Sequence, residues 1–364
     1  MTERERFDVA VIGGGQAGLA TGYHLAQRGF EFAILDAGER IGESWRRRWD
    51  SLRLFTPARE DALPGMPFPA EPSSFPTKDE MAAYLEAYAE RFELPVRLST
   101  PVDRLEHDGD TYVLTAGGRR LEVDHVVIAT GAYRTPRIPG FARELDPNVV
   151  HLHVDAYRNP HDLQDGPVLV VGAGNSGAEI ALEAAAGGHQ TWLSGRHPGH
   201  IPSVVHVGGD RVFWWFASRV LSTATPIGRR ARTKNLAHGA PLIRIKPGDL
   251  ASAGIERVPR VAGVREGLPQ LEDGRLLDAA NIVWCTGFRN DFSWIRIPVF
   301  DQDGMPMHER GEVPSERGLY FVGLPFLYSL TSSLVGGVGR DAQHVVRQIT
   351  ARAERRTELT SVAS

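Results

Sequence analysis

Short apolar runs recur along the chain, and each is followed within two residues by glycine. These runs occupy residues 9–12, 126–129, 168–171, 282–285 and 319–322. Apolar runs of this length are typical of strands buried on both faces of a parallel sheet. After the first and third runs, apolar residues recur at helical spacing. Strands that alternate with helices predict an α/β fold built on parallel sheets.

The first strand–helix junction carries a glycine-rich pattern. Residues 13–18 read GGGQAG, which matches G-x-G-x-x-G. In that pattern Gly13 permits the tight turn, Gly15 lets the backbone approach a pyrophosphate, and Gly18 lets the helix pack on the strand. The next predicted strand ends in Asp36, near the offset expected of a carboxylate that binds ribose hydroxyls. The junction therefore predicts a dinucleotide site.

A second junction repeats the pattern. Residues 172–177 read GAGNSG and follow a buried-strand run. The strand after this loop ends in Ser194 and Arg196 rather than in a carboxylate. An arginine there would pair with a 2′-phosphate, so the second site should prefer NADP(H) to NAD(H). The alternative for Arg196 is a solvated surface cation.

Two nucleotide sites in one chain suggest a flavin that accepts a hydride from a nicotinamide. We therefore expect FAD at the first loop and NADPH at the second. The FAD prediction includes Gly13, Gly15, Gln16, Ala17, Gly18 and Asp36. The NADPH prediction includes Gly172, Gly174, Asn175, Ser176, Gly177, Ser194 and Arg196.

An internal repeat predicts the domain organisation. Residues 129–131 read ATG and residues 285–287 read CTG, each downstream of one glycine loop. Repetition on this scale indicates a duplicated domain rather than a solenoid. We expect two Rossmann-like dinucleotide-binding domains, with the NADPH domain inserted into a discontinuous FAD domain. The predicted limits are 1–150 and 275–364 for the FAD domain and 151–274 for the NADPH domain.

Composition excludes several classes of protein. Lys plus Arg number 41 against 45 Asp plus Glu, a net charge of −4 that argues against nucleic-acid binding by bulk basicity. Cys285 is the single cysteine, so an intrachain disulfide, a Cys-x-x-Cys redox pair and a cysteine-based metal cluster are excluded. The histidines show no convincing metal-ligand spacing, and no metal is expected. The start of the chain lacks a signal-peptide pattern, and no stretch is long and apolar enough to span a bilayer, so we expect a cytoplasmic protein.

At this point the residues resemble the flavin-containing monooxygenases. The resemblance covers nearly the whole chain and is closest to a bacterial branch related to the plant YUCCA enzymes. It is carried by both glycine loops, both Thr-Gly strand ends, and the blocks GESW at 42–45, LRLFTP at 52–57, FPTK at 75–78, YRNP at 157–160 and LVGGVGRDA at 334–342.

The resemblance implies further residues of the FAD site. They are Ser44, Trp45, Val102 through its backbone, Thr130, Gly131, Gly323 and Asp341. The alternative for Trp45 is a packed core aromatic, because most tryptophans are largely buried for packing alone.

The resemblance also implies an activity. NADPH would reduce FAD, and the reduced flavin would react with O2 to give a 4a-hydroperoxyflavin that transfers one oxygen atom to a small organic substrate by N-, S- or YUCCA-type oxygenation. The alternatives are an NAD(P)H-dependent flavin oxidoreductase or oxidase without oxygen insertion, a Baeyer–Villiger monooxygenase, and a flavin-bound sensor or scaffold that does not turn over. Family analogy also suggests a homodimer.

One family signature is altered in this chain. The family pattern F-x-G-x-x-x-H-x-x-x-Y survives only as His153 and Tyr157, and residues 147–149 read PNV in place of F-x-G. A tyrosine at its end argues against the Baeyer–Villiger branch, which prefers tryptophan. His153 and Tyr157 are the weak catalytic candidates. The alternative for His153 is an interdomain hydrogen-bonding residue without a catalytic role.

The segment from Arg211 to Lys246 combines aromatic and basic residues. It contains eight Lys or Arg, no Asp or Glu, and the run VFWWF at 212–216. Three interpretations stay open. The segment could cover the active site and admit an anionic, aromatic or acyl substrate. It could instead rest on an anionic membrane surface, or simply pack its aromatic residues on the NADPH domain.

Overall fold

The computed structural model describes residues 4–109, 111–131, 135–200, 210–238 and 241–363. The strands are β1 Arg4–Ile12, β2 Phe32–Leu35, β3 Val96–Arg97, β4 Val102–Asp108, β5 Thr111–Ala116, β6 Arg119–Ile128, β7 Thr135–Pro136, β8 Val150–His153, β9 Val168–Val171, β10 Thr191–Ser194, β11 Glu256–Val258, β12 Val261–Arg265, β13 Leu268–Leu271, β14 Asn281–Trp284, β15 Phe288–Arg289 and β16 Leu319–Phe321. The α-helices are α1 Gln16–Ala26, α2 Glu43–Arg46, α3 Lys78–Arg91, α4 Asn175–Ala186, α5 Asp210–Arg219, α6 Pro226–His238, α7 Pro247–Ser252 and α8 Val335–Ala363.

The first sheet holds the first glycine loop. Its strand order is β3-β2-β1-β6-β5-β4, and β16 pairs with the C-terminal part of β6. β1 runs parallel to both β2 and β6, while β4 and β5 add an antiparallel hairpin to the start of β6. Because the carboxyl ends of parallel strands meet at one edge, Gly13, Asp36, Thr130 and Gly323 follow four strands at the same edge.

The second sheet holds the second loop. Its order is β11-β10-β9-β14-β8, and all four pairings are parallel. β9 and β14 are buried along their whole length, as their apolar sequences predict. Gly172 follows β9, Gly195 follows β10 and Cys285 follows β14, so these residues share one edge of this sheet.

A pair of short strands joins the two sheets. β7 follows β6, where the chain leaves the first sheet, and β15 precedes β16, where the chain returns to it. The two strands pair antiparallel, with Phe288 opposite Pro136 and Arg289 opposite Thr135. The second sheet, drawn from residues 150–284, is thus inserted between β6 and β16 of the first. The predicted fold class is confirmed, while the domain limits at 150/151 and 274/275 stay predictions.

Elements extend somewhat beyond the apolar runs that predict them. β1 begins at Arg4, because its pairing with β6 continues from Ile12 back to Arg4. The second dinucleotide helix begins at Asn175 inside its glycine loop, whereas the residues after that loop begin at Ala178. The backbone pairing and the loop geometry that cause both differences leave no hydrophobic pattern in the sequence.

Candidate functional site between two glycine loops

The first loop is shaped by three glycines with different tasks. Gly13 has a φ of 108°, and a Cβ at that position would lie 2.5 Å from the carbonyl oxygen of Ala129. A Cβ on Gly18 would lie 1.8 Å from the carbonyl oxygen of Gly13, so only glycine lets α1 approach so closely. A Cβ on Gly15 would meet no described atom within 4 Å. Gly15 therefore leaves its backbone accessible where the pattern places a pyrophosphate.

The second loop repeats this geometry closely. Gly172 has a φ of 112°, and its Cβ would lie 2.2 Å from the carbonyl oxygen of Cys285. A Cβ on Gly177 would lie 1.8 Å from the carbonyl oxygen of Gly172, whereas one on Gly174 would meet no described atom within 4 Å. The two loops are therefore equivalent structures on two separate sheets.

Both loops present a helix N-terminus without a side-chain cap. Gly15 and Gly174 are the N-cap residues of α1 and α4, with no capping bond from a described side chain and no acid in the first turn. By contrast, a capping box between Thr77 and Glu80 closes the start of α3. The first N–H groups of α1 and α4 thus stay available to an anion such as a pyrophosphate.

A cavity of about 350 Å³ lies between the two loops. Ten of the residues predicted for FAD line it: Gly13, Gly15, Gln16, Ala17, Asp36, Ser44, Trp45, Thr130, Gly131 and Gly323. Asn175 and Ser176, predicted for NADPH, line it as well. The same space therefore borders the ends of both predicted nucleotide sites.

Asp36 is held in place by its own backbone surroundings. Its carboxylate accepts hydrogen bonds from the N–H of Gly14 and, at 2.7 Å, from the N–H of Gly38. These bonds orient the carboxylate at the end of β2 and leave further lone pairs free to accept ribose hydroxyls. The geometry fits the predicted role.

The structure adds cavity residues that sequence reasoning missed. Arg48 lines the cavity and places its guanidinium carbon 5.2 Å from the ring centroid of Phe288, another lining residue. Glu179 lines it as well, and burial raises the pKa of this carboxyl to about 7, partly offset by Arg244 at 3.4 Å. Helical spacing could have indicated Glu179, which lies four positions after Asn175 on α4, whereas Arg48 lies beyond the end of α2 and follows no such pattern.

The hydroxyl of Ser194 makes two hydrogen bonds within the protein. Its hydroxyl donates to the carbonyl oxygen of Pro259 at 2.8 Å and accepts from the N–H of Val261 at 3.2 Å. The side chain is completely buried, so it fastens β10 to the turn before β12. The predicted ribose contact through Ser194 stays untested, and the observed hydrogen bonds already use its hydroxyl in both directions.

Arg196 lies where a 2′-phosphate would be expected, at the open end of β10. Its side chain is exposed, and it directly follows Gly195, whose φ is 135°. Arg257, on the neighbouring strand β11, donates to the carbonyl oxygen of Gly195 at 2.8 Å. A second guanidinium is thus held beside this strand end, and the sequence pattern did not reveal it.

His153 lies outside the described cavity lining and holds the connection between the sheets. Its Nε2 donates to the carbonyl oxygen of Gly287 at 2.9 Å, and its Nδ1 accepts from the N–H of Asp155 at 3.2 Å. The same Gly287 oxygen accepts from the N–H of Arg137 at 3.0 Å. Burial lowers the pKa of His153, which favours the neutral ring that this pattern requires. The ring also meets Phe288 edge-on at 4.8 Å.

The described lining also leaves out three predicted residues that belong to neither glycine loop and lie away from β10: Tyr157, Val102 and Asp341. Tyr157 is fully buried and donates to Glu183 at 3.1 Å, and burial raises the pKa of its phenol. Val102 begins β4 opposite Ala116. Asp341 is completely buried within α8, and burial raises the pKa of its carboxyl to about 6. Their predicted roles are not tested by these contacts.

The described ranges contain no cluster of three or more His, Cys, Asp or Glu side chains able to hold a metal ion. In the same ranges, no helix is long and apolar enough to cross a membrane.

Comparison with known proteins identifies the family. Residues 10–205 match the family model described as pyridine nucleotide-disulphide oxidoreductase. A CzcO-like uncharacterised oxidoreductase of Geobacillus kaustophilus is 41% identical over 94% of this chain and 98% of its own length. The chain belongs to this oxidoreductase family and, within it, to the flavin-containing monooxygenase superfamily. The resemblance predicted from the sequence is thereby confirmed.

Two further relatives place it among flavoprotein monooxygenases. The indole-3-pyruvate monooxygenase YUCCA1 of Oryza sativa is 29% identical over 93% of this chain and 90% of its own length. The solved structure of a flavin-containing monooxygenase from Stenotrophomonas maltophilia is 28% identical, with a TM-score of 0.81 over 96% of this chain and 99% of that one.

Proposed function

We propose that this protein is an NADPH- and O2-dependent monooxygenase that inserts one oxygen atom into a small organic substrate, with FAD at the first glycine loop and NADPH at the second. The observation that carries the proposal is the shared cavity. Gly15 of the first loop and Ser176 of the second border the same space. Dinucleotides held at both loops would direct their redox-active ends toward one place.

The residues fit both cofactors. Each loop has an accessible central glycine and an uncapped helix N-terminus, the two features that bind a pyrophosphate. The first strand end offers a carboxylate for ribose hydroxyls, and the second offers Arg196 and Arg257 for a 2′-phosphate. Bound FAD supplies the redox and oxygen chemistry, which side chains alone cannot perform.

Apolar side chains form part of the cavity lining and would help to exclude water once the cofactors are bound. Trp45, Trp49, Leu54 and Phe55 contribute to one wall and Phe288 to another. Trp49 and Leu54 are only 4% and 5% exposed. Excluding water protects reactive oxygen species from unproductive release and strengthens the electrostatic interactions inside the cavity.

Charged side chains orient the reacting groups. Arg48 and Arg53 line the cavity, so an anionic substrate or cofactor group would find cations there. Glu179 can hold or release a proton close to neutral pH, because burial raises its pKa to about 7. The position of Glu179 on α4, one turn beyond Asn175, places that proton beside the second loop.

Thiol chemistry is not the proposed activity, although the family description includes disulphide reductases. Cys285 is the single cysteine, and intramolecular dithiol exchange needs two. Burial raises the pKa of its thiol, which disfavours the reactive thiolate. Cys285 lies against the second loop, where its carbonyl oxygen makes the close approach to Gly172.

Rapid mixing with isotope labelling tests the proposal. The FAD-loaded protein, reduced by NADPH without oxygen, is mixed with oxygenated buffer containing ¹⁸O2 and one member of a substrate panel. The panel holds an aromatic 2-oxo acid, chosen because the rice relative is named for indole-3-pyruvate, with a thioether, a tertiary amine and a ketone. We expect a transient absorbance distinct from reduced and oxidised flavin, and one ¹⁸O atom in a product. Direct return to oxidised flavin with stoichiometric peroxide for every substrate would support the oxidase alternative instead.

A further inference from the structure

The helices α5 and α6 expose apolar side chains to solvent. Among the described residues, most of the exposed large apolar side chains lie on these two helices: Val212 at 67%, Trp215 at 59%, Phe216 at 39%, Ile227 at 59% and Leu236 at 51%. Exposed large apolar side chains grouped in this way usually mark an interaction surface. Ile227 and Leu236 lie nine positions apart, on opposite sides of α6, so we call only Val212, Trp215, Phe216 and Ile227, with the cations beside them, the α5–α6 face.

The apolar residues of α5 form a stripe. Val212, Trp215 and Phe216 lie at positions i, i+3 and i+4 and therefore share one side of the helix. The opposite side is buried, where Trp214 and Ala217 pack with Phe55 and Leu334 of the cavity wall. Helix α5 is thus apolar on both sides, and the described residues cover only one of them.

Basic residues accompany this stripe. Arg211, Arg219, Arg229, Arg230 and Lys234 are all exposed. On α6, Ile227, Arg230 and Lys234 share one side at helical spacing. No acidic residue occurs from 211 to 246, although the whole chain has a net charge of −4. The α5–α6 face is therefore a local cationic surface on an otherwise acidic protein.

Charge complementarity selects the occupant of this face. A second copy docked symmetrically through the same face would bring like charges together, which opposes association. An anionic phospholipid surface attracts exposed Lys and Arg, and its interfacial layer accepts Trp, Phe and aliphatic side chains. From the exposed apolar stripe and the cations beside it, we infer that the α5–α6 face docks this protein on anionic phospholipid membranes. This inference does not rest on the proposed oxygenation.

Vesicle co-sedimentation of the FAD-loaded protein tests the inference. Vesicles of phosphatidylcholine alone are compared with vesicles containing about one third phosphatidylglycerol. We expect the partition coefficient to be about tenfold higher on the anionic vesicles and to fall as salt is added. Equal sedimentation with both vesicle types would overturn the inference.

Variants separate the apolar and the charged contributions. We expect Trp215→Ser with Phe216→Ser to lower the partition coefficient about tenfold, and Arg229→Gln with Arg230→Gln to lower it about threefold to tenfold. The matched control is Met305→Ser with Met307→Ser, because these exposed side chains, at 39% and 45%, lie outside the α5–α6 face. The control should bind as the unchanged protein does.

Folding and self-association are checked in parallel. Retained flavin absorbance and an unchanged Tm show that a variant is folded. If Trp215→Ser with Phe216→Ser fails this check, Val212→Ser with Ile227→Ser replaces it, with the same expected loss of binding. Light scattering measures whether the protein self-associates. A dimer that these substitutions dissociate, without vesicle binding by the unchanged protein, would overturn the inference and assign the face to contacts between copies.

Discussion

The hydroxyl of Thr56 donates a hydrogen bond to Oδ1 of Asp61, directly behind the cavity wall. Thr56 lines the cavity, whereas Asp61 is completely buried and its Oδ2 has no hydrogen-bond partner among the described residues. Burial raises the pKa of Asp61 to about 7, and the neighbouring Glu60 adds to the rise. Burial raises the pKa of Tyr84, on α3, to about 12, and the charge of the Asp61 carboxyl adds to the rise. The cavity-lining hydroxyl of Thr56 is therefore hydrogen-bonded to a buried acid whose burial disfavours the charged form.

The Thr56–Asp61 pair predicts a pH-dependent effect on stability. Because the folded pKa of Asp61 is raised, the folded state holds a proton that the unfolded state releases, and stability falls as pH rises from about 4 to about 7. Asp61→Asn removes this loss. We expect the variant to gain on the order of 2–4 kcal/mol relative to the unchanged protein between about pH 4 and pH 8. Denaturant titrations at several pH values measure this gain, and a constant difference would contradict the pKa shift.

The two glycine loops predict separable cofactor losses. Alanine at Gly15 or Gly174 meets no described atom within 4 Å, so both variants should fold. Each added methyl would occupy the approach to a pyrophosphate. We expect Gly15→Ala to lose FAD affinity about tenfold or more, and Gly174→Ala to keep FAD but bind NADPH about tenfold more weakly. Flavin absorbance and NADPH titration report the two effects. Loss of FAD from Gly174→Ala would contradict the assignment.

Gly18→Ala provides the contrasting case. The Cβ of the new alanine would lie 1.8 Å from the carbonyl oxygen of Gly13, so the backbone of α1 or of the loop must move. We expect destabilisation of about 3 kcal/mol or more, seen as a lower Tm even with FAD in excess. An unchanged Tm would show that α1 can shift without cost.

Arg196 predicts the preference between the two nicotinamide cofactors. A charge-assisted bond to a 2′-phosphate contributes about 1.5–3 kcal/mol, so Arg196→Ala should raise KM for NADPH about tenfold or more and leave KM for NADH unchanged. The matched control is Arg265→Ala, because Arg265 is also exposed and pairs with Glu266 at 3.2 Å. Equal effects of Arg196→Ala on both cofactors would remove Arg196 from the phosphate site.

His153 predicts a positioning effect rather than proton transfer. His153→Ala removes the bond to Gly287 and should slow flavin reduction by NADPH several-fold while FAD affinity is retained. Glutamine keeps an N–H donor, so His153→Gln should restore most of the rate. Pre-steady-state reduction of both variants across a pH series measures this. A catalytic proton donor would instead leave both variants equally slow and remove one limb of the pH profile.

The sequence predicted the parts of the fold that follow from local chemistry. The glycine loops were recognisable because close backbone contacts allow only glycine at certain positions, and these positions recur at a fixed spacing. They are Gly13 and Gly18 in the first loop and Gly172 and Gly177 in the second. The buried strands were recognisable from uninterrupted apolar runs. Asp36 was recognisable from its position after β2.

The remaining site residues depend on tertiary contacts that leave no local pattern. Phe288 reaches the cavity because β15 pairs with β7, and Arg257 reaches the end of β10 because β11 pairs beside it. Ser194 was predicted from its position, but the turn at 259–261 already engages its hydroxyl. In the segment from Arg211 to Lys246, Trp214 packs with Phe55 and Leu334, which belong to the predicted FAD domain rather than the NADPH domain, while Trp215 is exposed. The predictions of an active-site cover and of a membrane contact stay predictions. Residues 239 and 240 of that segment lie outside the described residues.

The measurement that tests the central claim most directly is anaerobic reduction of the bound FAD. The FAD-loaded protein is mixed with NADPH in the absence of oxygen, and the flavin absorbance is followed. If both dinucleotides meet in the shared cavity, the absorbance bleaches fully in the unchanged protein and at least about tenfold more slowly in Gly174→Ala at a limiting NADPH concentration. No bleaching by NADPH in the unchanged protein, or equal bleaching in Gly174→Ala, would contradict the account.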